Sequence, residues 1–372
     1  MKKSDLIPYE YDASNIKGMT KAVFLPKTIQ EAQSVVKNEH RICIRGGGTG
    51  LAGGAVPEQN QDIVLDTSKL TKIGPIDLNR KTIEVEAGVI LDDLQDYLKK
   101  HNLEFPVNPS SHSICTIGGM IATNAVGSRA IKYKSTEHWV RWIEIIDNNG
   151  TIDRKGRTET SDYCGMEGIT GLIVKACLNL VNIKERTATL VKLNNIDKIS
   201  ETLQHIKQNK NVSMIEFLDK KVSSIINLSN NYHLIVEYED NSGLLKNSEY
   251  NELMKKRNFI YPKLAEEGYT KIEDPVIMTN KIDTLLNFLE KKEIPTYGHI
   301  SIGILHPCFN SQQEQYIPEM MKLVKKLSGK ISGEHGIGIL KKKFVDPNDK
   351  KILQNIKKRT DPQNKFNMGK VI

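Results

Sequence analysis

The chain has 372 residues, an ordinary apolar share of 38% and a net charge of +8, which is long enough for about two domains with sizeable cores. No apolar run approaches the roughly 20 residues that span a bilayer, and Met1-Lys2-Lys3-Ser4-Asp5 lacks the apolar region of a signal peptide, so a cytoplasmic protein is expected. Scattered lysines without interleaved aromatics speak against nucleic acid, and five dispersed cysteines without a C-x-x-C pair speak against a disulfide framework, a zinc ribbon or an iron–sulfur cluster. The cysteines read as reduced core thiols.

Residues 20–45 read as strand, turn, helix and strand. Thr28 is the N-cap, Glu31 three residues on makes a capping box, and Ala32, Val35 and Val36 face inward. The short buried strand Ile42-Cys43-Ile44 then runs into Arg45-Gly46-Gly47-Gly48-Thr49-Gly50-Leu51-Ala52-Gly53-Gly54-Ala55-Val56-Pro57. Such a loop can turn successive N–H groups inward as a nest for an anion, with Arg45 as a fixed charge at its mouth. The guest that fits is a closely approached diphosphate; a plain surface turn is the alternative.

Ile63 to Asp66 reads as a strand, Thr82 to Gly88 alternates as a half-buried strand, and Leu91 to Leu98 is an amphipathic helix. The turn-rich Phe105-Pro106-Val107-Asn108-Pro109 leads to a second small-residue segment, Cys115 to Arg129, with a helix-forming middle. Small residues over that length suit a backbone pressed against a flat ligand, though tight helix packing would use the same residues. Val140 to Ile146 and Gly171 to Val181 are strands, and Cys164 to Gly171 is a third glycine-punctuated loop. From about 188 a second domain begins, with strands near 212–218 and 232–239 and a long basic helix near 249–267. Tyr297 to Pro307 reads as one strand carrying two histidines, followed by a helix at about 312–328 and the Gly-rich turn Gly329 to Gly338.

The potential ligands and bases are concentrated at His299, His306, Glu334 and His335. Side chains seven apart on a strand point to opposite faces, so His299 and His306 converge only if Gly303 supports a bulge or bend. Two imidazoles and a carboxylate suit a divalent transition metal with open positions, which leaves His335 as a base.

These motifs resemble those of FAD-linked 2-hydroxyacid dehydrogenases of the vanillyl-alcohol-oxidase type, such as glycolate oxidase flavin subunits and D-lactate dehydrogenases. Arg45 to Pro57 resembles the family's diphosphate loop. The segment from Thr116 through Gly118, Gly119, Thr123 and Asn124 to Gly127 resembles its second flavin-binding segment, entered from Pro109. Glu167-Gly168-Ile169-Thr170-Gly171-Leu172-Ile173 is similar to its third flavin contact, and Asp361-Pro362 to Asn367-Met368-Gly369-Lys370 to its usual ending.

The resemblance implies an α+β fold. A two-part PCMH-type FAD-binding domain (1–187) would be joined by a shortened ferredoxin-like substrate or cap domain (188–330), and a C-terminal segment (331–372) would return to the flavin. It implies noncovalent FAD held by Arg45, Gly46, Gly47, Gly48, Thr49, Gly50, Gly53, Pro109, Thr116, Gly118, Gly119, Thr123, Asn124, Gly168, Ile173 and Asn367. It further implies a divalent ion, Zn or Mn, on His299, His306 and Glu334, with His335 as the base and Arg257 binding the substrate carboxylate. The reaction implied is oxidation of a small D-2-hydroxy acid, D-lactate or glycolate, by hydride transfer to flavin N5. Electrons would pass to a quinone, a cytochrome or an iron–sulfur partner, and any attachment to the inner membrane face would come through that partner. The reading leaves room for a homodimer. Ser301, Ile302 and Ile304 depart from the family's G-H-x-G-D-G-N-L-H-P pattern, and Ile304, in place of the asparagine, removes a polar group. Two alternatives follow: a catalytically silent FAD-binding subunit, or an enzyme of the alkylglycerone-phosphate-synthase type.

Overall fold

The computed structural model describes residues 3–58, 62–197 and 199–372, and the α+β chain divides into two compact units. Unit one consists of Met1–Ala125, Ser135–Ile183 and Glu334–Ile372; unit two of Val126–Lys134 and Lys184–Gly333.

In unit one half of the expected capping box forms: the Thr28 hydroxyl accepts the Glu31 N–H, while the Glu31 carboxylate accepts the N–H of Lys27, one residue before the cap. The helix Ile29–Asn38 therefore starts at its cap, with Ala32 and Val36 buried and Val35 partly so. It is the crossover between the strands Ala22–Phe24 and Ile42–Arg45, which flank Ile63–Asp66 in a three-stranded parallel sheet.

A second sheet of five antiparallel strands runs in the order Ile73–Asp77, Thr82–Glu86, Leu172–Asn179, Val140–Ile146, Ile152–Gly156. The Thr82–Glu86 strand is not half-buried as its alternation suggests. Ile83 and Val85 enter the core, and on the other face Glu86 is also buried, accepting the Lys72 N–H. The helices Leu91–Lys99 and Ile117–Thr123 pack into the same core. All five cysteines of the chain are buried and free, and burial pushes the Cys115 thiol up to about 11 and Cys164 up to about 12, which suits inert core thiols.

The chain's last residues add to the edge of the small sheet. Ile42 donates to the Lys365 carbonyl at 2.9 Å and accepts from Asn367 N–H at 2.8 Å, making a parallel bridge with Phe366.

Unit two is built on a six-stranded sheet in the order Thr187–Leu193, Tyr232–Tyr238, Val212–Leu218, Thr296–Gly298, His306–Phe309, Lys271–Ile272, antiparallel throughout. The expected basic helix at 249–267 is two helices, Asn247–Asn258 and Ile260–Glu266. Pro262 explains the break, because its ring clashes with the carbonyl four residues back and it has no N–H to give. The expected strand from 297 to 307 is also broken, into Thr296–Gly298 and His306–Phe309 with a short 3₁₀ turn Ile300–Ile302 between them.

The piece Val126–Lys134 reaches this unit from the middle of unit one's sequence. Arg129 makes a bidentate pair with the fully buried Glu237 at 2.8 and 3.2 Å, and Lys132 pairs with Glu239 at 2.7 Å. Among the described residues no helix is long and apolar enough to cross a membrane.

Candidate active site

In unit one the three glycine segments meet. A Cβ on Gly46 would stand 2.4 Å from the Thr116 hydroxyl, and one on Gly47 would stand 2.3 Å from the Ile114 carbonyl. No side chain fits at either position, so the first loop lies directly on the entry to the second segment. Thr116 also caps the helix Ile117–Thr123 by accepting the Gly119 N–H, and Gly118 N–H donates to Ala87 at 2.7 Å. Thr123 returns its hydroxyl to the Gly119 carbonyl, and Asn124 ends the helix in the left-handed region while accepting the Glu137 N–H.

The third loop sits on the second: Gly165 and Glu167 donate their N–H groups to Ile121 and Ala122. Three segments far apart in sequence thus form one small-residue surface. Its bare backbone suits a long dinucleotide such as FAD.

Not every expected contact points the same way. The Arg45 guanidinium donates to the Tyr11 carbonyl at 2.6 Å, lies 3.9 Å from Asp66 and packs over Gly48. Thr49, Gly50, Gly53 and Pro109 line the two loops, and Pro109 accepts the His112 N–H. Ile173 is part of the buried core cluster. Asn367 accepts the Ile44 N–H at 2.8 Å and donates to the Glu167 carbonyl at 2.6 Å, beside Gly168. It ties the chain's last residues to the strand that enters the first loop and to the third loop.

His335 lies in a turn fastened to the same surface. Glu167 accepts the N–H groups of Ile337 at 2.6 Å and Gly338 at 2.9 Å, and Ala52 of the first loop accepts from Ile339 at 2.8 Å. Burial pushes the Glu167 carboxyl up to about 7 against the pull of those two donors. The His335 imidazole is largely buried, with Nε2 3.6 Å from Glu334.

In unit two the bend expected at Gly303 forms. Gly303 has φ +78°, and a Cβ there would stand 1.9 Å from the Ile277 carbonyl. The turn brings the buried His299 and His306 together, rings at right angles and centroids 5.2 Å apart. A donor nitrogen of one lies within 4.8 Å of a donor nitrogen of the other. The spacing and chemistry of this pair suit two ligands of a divalent metal. Glu334, the third expected ligand, is the first residue of unit one's last piece. Ser301, in the same turn, is buried and its hydroxyl has no hydrogen-bond partner among the described residues.

Arg257 is buried on Glu216, with its Nη2 3.0 Å from one carboxylate oxygen and 3.2 Å from the other. Glu216 also accepts from His299 Nδ1 at 3.2 Å. Burial alone would raise the Glu216 carboxyl, but the Arg257 guanidinium and His299 hold it down at about 2. Sequence reasoning passed over Glu216. The signal that could have found it is one charged residue in the otherwise apolar Met214-Ile215-Glu216-Phe217-Leu218, a strand buried along its whole length.

Two family models match the chain: the FAD binding domain over residues 20–155 and the C-terminal domain of FAD linked oxidases over residues 243–371. D-lactate dehydrogenase of Archaeoglobus fulgidus is 29% identical, over 94% of this chain and 91% of its own length. Glycolate oxidase subunit GlcD of Bacillus subtilis is 28% identical, over 98% and 91%. D-2-hydroxyglutarate dehydrogenase of Xanthomonas citri pv. viticola is 25% identical, over 94% and 89%. Among solved structures, an alkyldihydroxyacetonephosphate synthase superposes with a TM-score of 0.67 at 17% identity, over 93% of this chain and 75% of that one, which is a likeness of fold.

Proposed function

We propose that this chain, which belongs to the FAD-linked oxidases, oxidises a small D-2-hydroxy acid such as D-lactate or glycolate to the 2-oxo acid. The observation that carries this reading is the fastening of the His335 turn to both Ala52 and Glu167, which sets an imidazole beside the flavin loops. FAD, when bound, supplies the hydride acceptor, and a divalent ion supplies a Lewis acid for the substrate's hydroxyl and carboxylate oxygens.

The chain's own part is positioning and proton transfer. Gly46, Gly47 and Gly119 would give the dinucleotide a stretch of backbone without side chains, with Thr116 and Gly118 holding that backbone in place. His299 and His306 would hold the ion, and His335 would take the proton of the 2-hydroxyl. Arg257 serves the site through Glu216 rather than by a free guanidinium. The electrons leave to a quinone, a cytochrome or an iron–sulfur partner.

A second reading, a flavin-binding subunit without turnover, is favoured by the packing of Ile302 and Ile304. These two lie in an apolar cluster with Val126, Ala130 and Val276. One experiment separates the two. Under anaerobic conditions the purified yellow protein is mixed with D-lactate, glycolate or D-2-hydroxyglutarate, with and without a chelator. Bleaching by D-lactate or glycolate that the chelator abolishes supports the enzyme and its metal. An unbleached flavin with all three acids overturns the enzyme reading.

A further inference from the structure

We propose that Glu216 is a positioning residue for a divalent metal at His299, fixing that imidazole so that its Nε2 faces the ion. This rests on the metal site proposed above; the geometry that carries it lies wholly within unit two.

The sheet register brings the pair together. Phe217 pairs with Gly298 and Leu218 with Tyr297, so the next antiparallel step sets Glu216 opposite His299. Glu216 is fully buried and its Oε2 accepts from His299 Nδ1 at 3.2 Å. A carboxylate accepts only, so the proton of a neutral His299 sits on Nδ1 and the lone pair on Nε2. An imidazole held in this way is a stronger and better oriented metal ligand.

Burying that carboxylate would be costly without a counter-charge, and Arg257 supplies it through three hydrogen bonds to its two oxygens. Arg257 thereby acts at two removes: it holds Glu216, and Glu216 holds the ring. The competing explanation is that Glu216 serves only as the buried counter-ion of Arg257 and that His299 lies near it incidentally.

The test uses the full FAD-loaded chain, stripped of metal and titrated with Zn²⁺ against a chromophoric chelator. Wild type is compared with Glu216→Gln and with Glu237→Gln, a control carboxylate equally buried in the same sheet but paired to Arg129. The Co²⁺-loaded proteins are compared by their visible ligand-field bands. Glu216→Gln is expected to weaken Zn²⁺ binding by roughly 10- to 100-fold and to shift the Co²⁺ bands, while Glu237→Gln changes neither.

If Glu216→Gln fails to fold because Arg257 is left unpaired, Glu216→Gln with Arg257→Met removes both charges, and the same loss of Zn²⁺ affinity is expected. Zn²⁺ binding within twofold of wild type in the soluble Glu216 variant overturns the inference while leaving the metal site standing. An equal loss in Glu237→Gln overturns it as well. Wild type that binds neither Zn²⁺ nor Mn²⁺ overturns the metal reading itself, and this inference with it.

Discussion

Gly46 and Thr116 touch with no room for a Cβ between them, since one on Gly46 would stand 2.4 Å from the Thr116 hydroxyl. Thr116 is also the helix cap of the second glycine segment, so a side chain on Gly46 would disturb the first glycine loop and the cap together.

Gly47→Ala is the cleaner test of this contact, because the atom it meets is the Ile114 carbonyl at 2.3 Å, which is backbone and cannot swing aside. Overpacking of this kind costs about 1–3 kcal/mol. FAD affinity, read from the ratio of flavin to protein absorbance, should fall by roughly 5- to 150-fold at that cost. Gly156→Ala, which meets nothing within 4 Å, should retain FAD as wild type does. Equal retention in both variants would mean that the two segments can separate freely.

His335→Gln should keep its flavin and lose turnover. Loss of a positioned general base lowers kcat by roughly 10²–10⁴-fold. Stopped-flow bleaching of the flavin by the best substrate reads this directly, and a variant that bleaches at the wild-type rate would assign the proton to another group.

Glu167 should make stability depend on pH. Its folded pKa is raised to about 7 by burial, above the roughly 4.3 of an unfolded glutamate. The native state therefore holds the proton more tightly, and the stabilisation is full below about pH 4.3 and lost as pH rises through about 7. Glu167→Gln removes this dependence, so wild type should lose roughly 3 kcal/mol more than the variant between about pH 5 and 8. Guanidinium melts at the two pH values check it; parallel curves would contradict it.

Lys357 and Asp361 form a buried pair, with the Lys357 ammonium also donating to the carbonyls of Ile169 at 2.8 Å and Phe366 at 2.7 Å. Lys357→Met leaves Asp361 buried without its cation, which costs about 3–5 kcal/mol. Because this pair shapes the approach to Asn367, flavin release should come at a lower denaturant concentration than in wild type. Release at the same concentration would show that the chain's last residues are held without it.

Much of the site was legible because it is written in glycine and histidine, whose spacing speaks directly. Gly303 had to bend the chain for His299 to meet His306, and it does. What escaped was decided by tertiary neighbours. Glu216 is a single acidic residue whose importance comes from a strand pairing 83 residues away. The piece Val126–Lys134 continues the second glycine segment in sequence, yet Arg129 commits it to Glu237 in unit two. The broken helix at 258–260 was readable, since Pro262 forbids a continuous one. The FAD binding expected from the loops accords with the family models, whereas the individual site residues rest on the geometry described above.

The bridge between Ile42 and Phe366 has a consequence for biogenesis. Ile44 finds its Asn367 partner 323 residues later in sequence, so this edge of the small sheet stays open until synthesis has covered that stretch. At elongation rates of about 5–20 residues per second, that edge is open for tens of seconds. A nascent chain of this protein therefore presents an unpaired strand in a crowded cell, and chaperone capture of stalled or shortened chains would be its natural signature.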